Sequence, residues 1–289
     1  MEALLRAERA HSAPAACITE VGQFLAFPAE CTERFLGWTL APAVPVGGVV
    51  LYVACKPLLA KACEALGTDG SSATFTLFCF LHNVALCLFS LVVCVRSVSI
   101  LLGALARDGL RTTYCGAPAG STLMADGFAF YVMLFYLSKF YEFMDTFILI
   151  VKRKKVMLLQ SYHHSGAVIA MWALVPTQSH GAMFFVCMNS FVHTAMYAYY
   201  AASVYKEGSL ATAALYRLLL PLKPYLTRMQ ILQFIIGLFG AAPMHFIAGC
   251  NTLAANAATA FSQAYAMPLI ALFAAFYLDA YRKQSTKTL

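Results

Sequence analysis

The chain alternates long apolar runs with short polar stretches. A helix that spans the hydrocarbon core of a bilayer needs about 20 apolar residues. Seven runs approach that length, over residues 38–55, 73–95, 127–151, 157–175, 181–204, 230–249 and 257–280. We therefore predict an all-α, polytopic membrane protein with seven transmembrane helices in one domain over residues 38–281.

Composition supports this prediction. Of the 289 residues, 61% are hydrophobic and 11% are charged, whereas ordinary soluble domains carry about 25% charged residues. The net charge is +7, but the basic residues lie between apolar runs instead of forming a basic domain, which argues against a nucleic-acid partner.

The distribution of Lys and Arg predicts the orientation. Thirteen of the 20 lie in alternate stretches, over residues 56–72, 152–155 and 205–228 and after residue 281, while six lie on the opposite side and Lys139 lies inside a span. Cytosolic loops carry the excess of Lys and Arg. We expect residues 282–289 to form a cytosolic basic tail and the N-terminus to be luminal, which requires an odd number of spans.

The N-terminal segment, residues 1–37, mixes apolar and polar residues and is expected to form an interfacial helix on the luminal side. It lacks the pattern of a cleaved signal peptide. The ten cysteines include no CxxC pair, so neither a zinc site nor a redox dithiol is indicated and no metal is expected.

Four polar clusters interrupt the apolar runs, where ionisable residues are costly to bury. The first comprises Lys139, Glu142, Asp145 and Thr146, whose charges cover roughly 120° of one helix face. Lys139 and Glu142 could form an intrahelical pair that only neutralises itself. Asp145 has no such partner and should hold a histidine or a cation.

The second cluster comprises Gln160, His163 and His164. Adjacent histidines point about 100° apart on a helix, so both can reach a cavity only from different directions. A lone membrane histidine more often forms a hydrogen bond between helices. A histidine pair near an unpaired carboxylate favours chemistry instead.

The third and fourth clusters lie on later helices. Asn189, His193, Tyr197 and Tyr200 form a stripe within roughly 80° on one helix face, and the His and Asn favour a polar cavity over packing. Gln230 and Gln233 could instead form only hydrogen bonds between helices. The clusters lie at similar depth below the basic loops, which predicts one polar chamber open to the cytosol with apolar space beyond it.

Taken in order, these clusters resemble the motifs of the ELO family of fatty acid elongases. The matching segments are KxxExxDT at 139–146, a histidine box at 160–164, NxxxHxxMYxYY at 189–200 and TxxQxxQF at 227–234. The resemblance implies a seven-helix endoplasmic reticulum enzyme that encloses an acyl-CoA tunnel and acts as a 3-oxoacyl-CoA synthase. It also implies a luminal disulfide between Cys115 and Cys250.

The histidine box departs from the usual HxxHH because its first position is Gln160. This is similar to a subset of algal elongases that act on C18 polyunsaturated acids, and such a substrate is expected here. An amide can replace a histidine as a hydrogen-bonding group but not as a proton acceptor.

The resemblance implies a condensation of acyl-CoA with malonyl-CoA. We expect His163 to attack the thioester and form an acyl-imidazole. Asp145 is expected to orient a histidine, and either His193 or His164 is expected to contact the malonyl group or the enolate oxygen. Further hydrogen-bond donors are expected from Gln160, Asn189 and Gln230. Direct condensation with His163 or His164 as general base is the alternative. The remaining residues expected to bind substrate are Glu142, Thr146, Tyr197, Tyr200 and Gln233. The candidates for the CoA phosphates are Lys139, Lys152, Arg153, Lys154, Lys155, Arg217, Lys223 and Arg228.

The basic run Lys152–Lys155 could also serve only as a membrane anchor. Beyond the two CoA substrates we expect no tightly bound cofactor. Membrane lipid and the reductases and dehydratase of the elongation cycle are the expected partners, and a homodimer is left open.

Two other classes of membrane protein share some of these features. A di-iron desaturase needs more histidine ligands than seven histidines with one HH pair and no HxxxH provide. A membrane transporter of an anionic or lipid-like substrate could share the topology and use buried charges, so it is the main alternative.

Overall fold

A computed structural model describes residues 37–205 and 210–282 of the chain. These residues form helices and connecting turns, and the described ranges contain no strand. The predicted N-terminal interfacial segment, apart from Gly37, and the tail beyond Arg282 lie outside the described residues.

Nine α-helices follow one another in the described ranges, with short 3-10 or π turns between them. They are α1 (Ala43–Leu66), α2 (Ala73–Cys115), α3 (Ala129–Tyr141), α4 (Phe143–Val151), α5 (Leu158–Leu174), α6 (Ala182–Val204), α7 (Leu210–Leu219), α8 (Lys223–Ala241) and α9 (Leu253–Tyr277). The all-α prediction is confirmed for the part of the chain that the structure describes.

Local sequence explains where several helices begin and end. Gly67 adopts a left-handed conformation at φ 63° and closes α1, a role that suits glycine because it has no Cβ. The Ser72 hydroxyl accepts a hydrogen bond from the Phe75 N–H at 3.2 Å and caps α2, as Thr252 does for α9 through the Ala255 N–H. Gly109, at φ 77°, kinks α2 near its end.

Two helices extend further than the apolar runs indicated. α1 continues past residue 55 to Leu66, so Lys56 and Lys61 lie on the helix and not in a loop. α2 likewise continues past residue 95 to Cys115 and carries Arg96. Hydropathy marks where the bilayer core ends, but a helix continues as long as its backbone hydrogen bonds can form.

Among the described residues, four helical stretches are long and apolar enough to cross a membrane: Ala43–Leu66, Ala73–Cys115, Tyr216–His245 and Leu253–Tyr281. Several such stretches in one chain are characteristic of a polytopic membrane protein. The third predicted span is divided into α3 and α4, and α5 has 17 residues. The count of seven spans stays a prediction.

The helices pack as a ring in which α2 contacts α6, α6 contacts α8, α8 contacts α9, α9 contacts α5 and α5 contacts α3. α3 in turn contacts α2 and α6, which closes the ring, and α1 packs outside against α4 and α5. Polar side chains that project inward from α3, α5, α6 and α8 therefore face one another.

The two ends of the ring differ. At one end, Cys115 and Cys250, the pair that the resemblance implied, form a disulfide that joins α2 to the segment before α9. At the other, the Arg153 side chain donates to the carbonyl oxygens of Cys63 at 2.5 Å and Thr68 at 2.8 Å, fastening the α4–α5 turn to the end of α1. We call these the disulfide end and the basic end.

Candidate active site

The helix of the third apolar run breaks at Glu142, between α3 and α4. Lys139 Nζ donates to Glu142 Oε1 at 2.6 Å, and both side chains are 3% exposed. The ammonium also donates to Asn189 Oδ1 of α6 at 3.3 Å. The pair therefore does more than neutralise itself within one helix, because it also joins α3 to α6.

Two histidines meet the same carboxylate. One ring nitrogen of His163, one of His193 and a carboxylate oxygen of Glu142 all lie within 4.8 Å of one another. His193 Nδ1 lies 3.7 Å from Glu142 Oε1. Such a group has the composition of a transition-metal site, but the Lys139 ammonium on the same carboxylate opposes a second cation.

A pair of amide side chains, Asn189 and Gln233, extends this group to α8. Asn189 Nδ2 donates to Gln233 Oε1 at 3.3 Å. Both residues are buried, so their mutual hydrogen bond offsets the cost of removing them from water. We call the group formed by the following residues the chamber: Lys139, Glu142, His163, Asn189, His193 and Gln233.

Asp145 lies in a separate but adjacent network. Its Oδ1 lies 2.8 Å from His82 Nε2 of α2, and its Oδ2 accepts a 2.7 Å hydrogen bond from the Tyr197 hydroxyl. The expectation that Asp145 holds a histidine is confirmed. The turn at Glu142 separates Asp145, on α4, from Lys139, on α3.

His82 was not predicted. It is 2% exposed and its Nδ1 lies 3.3 Å from the Tyr141 hydroxyl. The available signal was an ionisable side chain inside the second apolar run, where burial is costly without a partner. Through Tyr197, whose ring meets the His193 ring edge-on at 5.4 Å, this network contacts the chamber.

The adjacent histidines occupy different surroundings. His164 is buried, lies 2.9 Å from Gln160 Nε2 through its own Nε2, and packs near the rings of Tyr52 and Phe143. His163 Nδ1 instead lies 3.2 Å from the Tyr265 hydroxyl of α9. His163 therefore lies in the chamber, whereas the His164 and Gln160 side chains contact each other. Tyr265 was missed because it belongs to no polar cluster in the sequence.

A narrow cavity of about 50 Å³ leads from the chamber into apolar surroundings. Lys139, His163, Asn189 and Gln233 lie on it together with apolar residues that include Met171, Leu174, Phe184, Phe185 and Met188. Leu174 and Phe184 lie near the disulfide-end termini of α5 and α6. The polar chamber therefore opens directly into an apolar cavity, the arrangement that the sequence predicts.

Four residues expected to bind substrate have surroundings of their own: Thr146, Gln230, Tyr200 and Arg228. The Thr146 hydroxyl lies 2.9 Å from the Tyr52 hydroxyl, and Gln230 Nε2 lies 3.1 Å from Met196 Sδ. Tyr200 is 41% exposed. Arg228 Nε donates to the Tyr277 hydroxyl at 2.8 Å. The structure gives each of them a protein partner or an exposed position.

At the basic end, a larger cavity of about 580 Å³ opens to the surface. Its cations come from α1 and the α4–α5 turn, and Ser161 of α5 accepts a 2.9 Å hydrogen bond from Lys56 Nζ. We call it the basic cavity, with the cationic lining residues Lys56, Arg153, Lys154 and Lys155. Lys152, predicted with this group, packs beside Gly70.

Two further histidines lie toward the disulfide end. His180, in the turn between α5 and α6, is 1% exposed, and burial lowers its pKa to about 4, so it is neutral near pH 7. His245 Nε2 lies 2.7 Å from Gln263 Oε1. Neither residue contributes to the chamber.

Comparison with known proteins identifies relatives of this chain. The family model described as ELO: GNS1/SUR4 family matches residues 38–289. Fatty acid elongase A of Dictyostelium discoideum is 30% identical over 215 residues, which cover 72% of this chain and 73% of that protein. Very long chain fatty acid elongase 2 of Rattus norvegicus is 32% identical over 161 residues, covering 53% of this chain and 52% of the relative.

A protein of Trypanosoma cruzi called very long chain fatty acid elongase 4 is 33% identical over 160 residues, covering 54% of this chain and 51% of the relative. The matched segment therefore spans about half the length of the rat and trypanosome proteins.

Proposed function

Because the chain belongs to the ELO: GNS1/SUR4 family, we propose that it condenses a long-chain acyl-CoA with malonyl-CoA to give 3-oxoacyl-CoA, carbon dioxide and CoA. Its relatives are fatty acid elongases, which supports elongation of fatty acids in general.

One observation carries the proposal. Two imidazoles, a buried ion pair and two amides from four helices meet at the head of an apolar cavity. A site that activates a thioester while it binds a fatty chain needs polar side chains next to an apolar cavity. Buried donors are also more effective there than in water because the low local dielectric strengthens each hydrogen bond.

In the proposed mechanism, His163 attacks the acyl thioester carbon with the lone pair of one ring nitrogen. The carbon–sulfur bond breaks, and the CoA thiolate leaves and takes a proton from solvent. Malonyl-CoA then loses carbon dioxide, and the resulting enolate carbon attacks the acyl carbon. The carbon–nitrogen bond breaks and its electron pair returns to His163. The alternative is direct condensation with His163 as general base.

The other chamber residues serve charge and orientation. The acyl-imidazolium carries a positive charge, and the Glu142 carboxylate beside it offsets that charge. His193 and Asn189 are assigned to the malonyl group and the enolate oxygen, where hydrogen-bond donors stabilise developing negative charge. Lys139 holds Glu142 and Asn189 in place for both tasks. His164 and Gln160 support the helix turn that carries His163.

We assign the basic cavity to the phosphates of CoA. Lys56, Arg153, Lys154 and Lys155 line it, and cationic donors form strong hydrogen bonds with phosphate oxygens. Its volume of about 580 Å³ provides room for a large polar group. The Arg228 and Lys152 side chains remain further candidates near the same end.

The acyl chain is assigned to the apolar cavity, with a C18 polyunsaturated acid as the proposed substrate because of Gln160. The present volume of about 50 Å³ requires lining side chains to move when a chain enters. Met171 and Met188 suit this because methionine is unbranched and adapts to irregular spaces.

The proposed setting is the endoplasmic reticulum membrane, crossed seven times, with the N-terminus luminal and the C-terminus cytosolic. The disulfide between Cys115 and Cys250 supports this orientation because the lumen is oxidising. The product is a 3-oxoacyl-CoA, so the reductases and dehydratase of the elongation cycle are the proposed partners. A homodimer remains an additional proposal.

The test is incubation of purified full-length protein with C16 to C20 acyl-CoAs and labelled malonyl-CoA. We expect labelled 3-oxoacyl-CoA from wild type, greatest with C18 polyunsaturated chains, and a loss of roughly 10³-fold or more for His163→Ala. His245→Gln, which changes a histidine outside the chamber, is the matched control. If wild type forms no malonyl-CoA-dependent product but moves substrate across vesicles, the chain is a transporter and the proposal is wrong.

Mass spectrometry of the intact enzyme after acyl-CoA alone separates the two mechanisms. An acyl adduct together with release of free CoA supports the acyl-imidazole. An active enzyme that shows neither adduct nor CoA release uses direct condensation.

A further inference from the structure

The Tyr265 hydroxyl of α9 contacts His163 at two points. It donates to the His163 backbone carbonyl oxygen at 2.8 Å, and its oxygen lies 3.2 Å from His163 Nδ1. A carbonyl oxygen can only accept a hydrogen bond, so the single hydroxyl proton of Tyr265 is used there. In the second contact the tyrosine oxygen must accept, and His163 Nδ1 must carry the proton.

This arrangement selects one form of the imidazole. A neutral histidine has one protonated nitrogen and one lone pair, and the partner of the first nitrogen decides which is which. With the proton on Nδ1, the lone pair lies on Nε2. Both proposed roles of His163, nucleophile and general base, need an unprotonated nitrogen directed at the substrate.

Gly166 makes room for the tyrosine. It lies one turn beyond His163 on α5, and a Cβ placed on it would overlap the Tyr265 ring. Any side chain at position 166 would therefore push the ring away. The absence of a Cβ lets the aromatic ring lie directly on the α5 backbone, where its hydroxyl can reach both His163 atoms.

A second tyrosine holds the ring from the other side. Tyr162 stacks on Tyr265 with ring centroids 5.4 Å apart and an interplanar angle of 28°. The Tyr162 hydroxyl donates to the Tyr265 carbonyl oxygen at 3.2 Å. The ring is thus fixed between α5 backbone and a neighbouring ring, and its hydroxyl has little freedom to leave His163.

We infer that Tyr265 is a positioning residue that fixes the tautomer and ring orientation of His163, seated by Gly166. This inference rests on the proposed function, since it concerns the histidine assigned to the chemistry. It differs from a packing role, in which only the aromatic ring of Tyr265 would matter and its hydroxyl would be dispensable.

The experiment compares two variants that each remove one hydroxyl from the same ring stack. Tyr265→Phe keeps the ring on Gly166 but loses both contacts with His163, and we expect kcat to fall by about 10- to 100-fold, as when the orienting partner of a functional histidine is removed. KM for acyl-CoA should stay within about twofold, since the apolar cavity is unchanged. Tyr162→Phe keeps the ring stack and removes a hydroxyl that donates to the Tyr265 backbone carbonyl and not to His163, so kcat should stay within about twofold of wild type.

A third variant tests whether the close contact between Gly166 and the Tyr265 ring is required. Gly166→Ala should lower kcat as Tyr265→Phe does, and combining the two should add little further loss, because both remove the same contact. Monodispersity and thermal unfolding of each variant show whether it is folded.

The outcomes separate the two proposals. Wild type without malonyl-CoA-dependent product rejects the proposed function. An active wild type with a fully active Tyr265→Phe variant, or with equal losses in Tyr265→Phe and Tyr162→Phe, rejects the positioning role and leaves the function standing. A Tyr265→Phe variant that loses kcat while it stays folded and keeps its KM supports the role.

Discussion

The chamber and the basic cavity both contain cations, but the two regions hold them in opposite ways. In the chamber, the Lys139 ammonium is 3% exposed and lies 2.6 Å from a carboxylate. In the basic cavity, Lys154 and Lys155 are exposed, and no ion pair within residues 37–205 and 210–282 involves either of them.

The difference follows from solvation. A buried charge loses its water and must be compensated by fixed partners, so its position is defined closely. An exposed cation keeps its water and acts through a screened field over several ångströms. The chamber is therefore suited to orienting reacting groups, and the basic cavity to holding a charged part of a ligand far from the reaction. Substitutions in the two regions should therefore have different effects.

The largest expected effect is in the chamber. Lys139→Met leaves the Glu142 carboxylate buried without its ammonium, which should lower the free energy of unfolding by about 3–5 kcal/mol. Thermal unfolding in detergent measures this loss. Lys139→Met combined with Glu142→Leu removes both charges and should recover most of the stability but none of the activity. Equal stability of wild type and Lys139→Met would show that the buried pair is not needed for folding.

The next effect is in the network beside the chamber. His82→Leu removes the partner of Asp145 Oδ1 and loosens the carboxylate that holds Tyr197 against His193. Because a hydrogen bond to a charged group contributes about 1.5–3 kcal/mol, turnover should fall by about 10- to 100-fold. The elongation assay measures it, and His82→Asn, which keeps an N–H donor, is expected to retain much of the activity. Unchanged turnover in His82→Leu would confine His82 to packing.

At the border between the two regions, Arg153 lines the basic cavity and also donates to the carbonyls that end α1. Arg153→Gln should lower the free energy of unfolding by about 1–2 kcal/mol, because those carbonyls lose a charged donor. Lys154→Gln removes the same charge from the same cavity and should leave thermal unfolding unchanged. Matching unfolding curves for the two variants would mean that Arg153 acts only as a charge.

The smallest effect is expected at the exposed cations. Lys154→Ala with Lys155→Ala should raise KM for acyl-CoA severalfold and leave kcat unchanged, because each exposed contact contributes at most about 1 kcal/mol. The KM of wild type should rise with salt, and that of the double variant should rise less, since screening acts on the removed charges. The measurement is KM in low and in near-physiological salt. A KM equal to that of wild type at low salt would place the CoA phosphates elsewhere.

Much of the site was predictable from sequence. Polar side chains inside apolar runs selected Lys139, Glu142, His163, Asn189 and His193, and the structure brings them together. Thr146, Gln230 and Arg228 came from the same motifs, and their polar atoms contact Tyr52, Met196 and Tyr277 respectively.

Two residues could not be found in this way. His82 is a single polar residue in a long apolar run, and Tyr265 is one tyrosine among many in the chain. Each acquires its importance from a residue on another helix, Asp145 in one case and His163 in the other.

The sequence by itself determined that the chain is helical and membrane-embedded, and which chemical groups the bilayer interior must accommodate. The physical reason is that hydrocarbon requires long apolar helices with satisfied backbones and makes every buried polar group conspicuous. Only the tertiary structure decided which groups meet. Spacing along a helix gives relative directions within that helix, but the packing of neighbouring helices set which atoms came within hydrogen-bond distance.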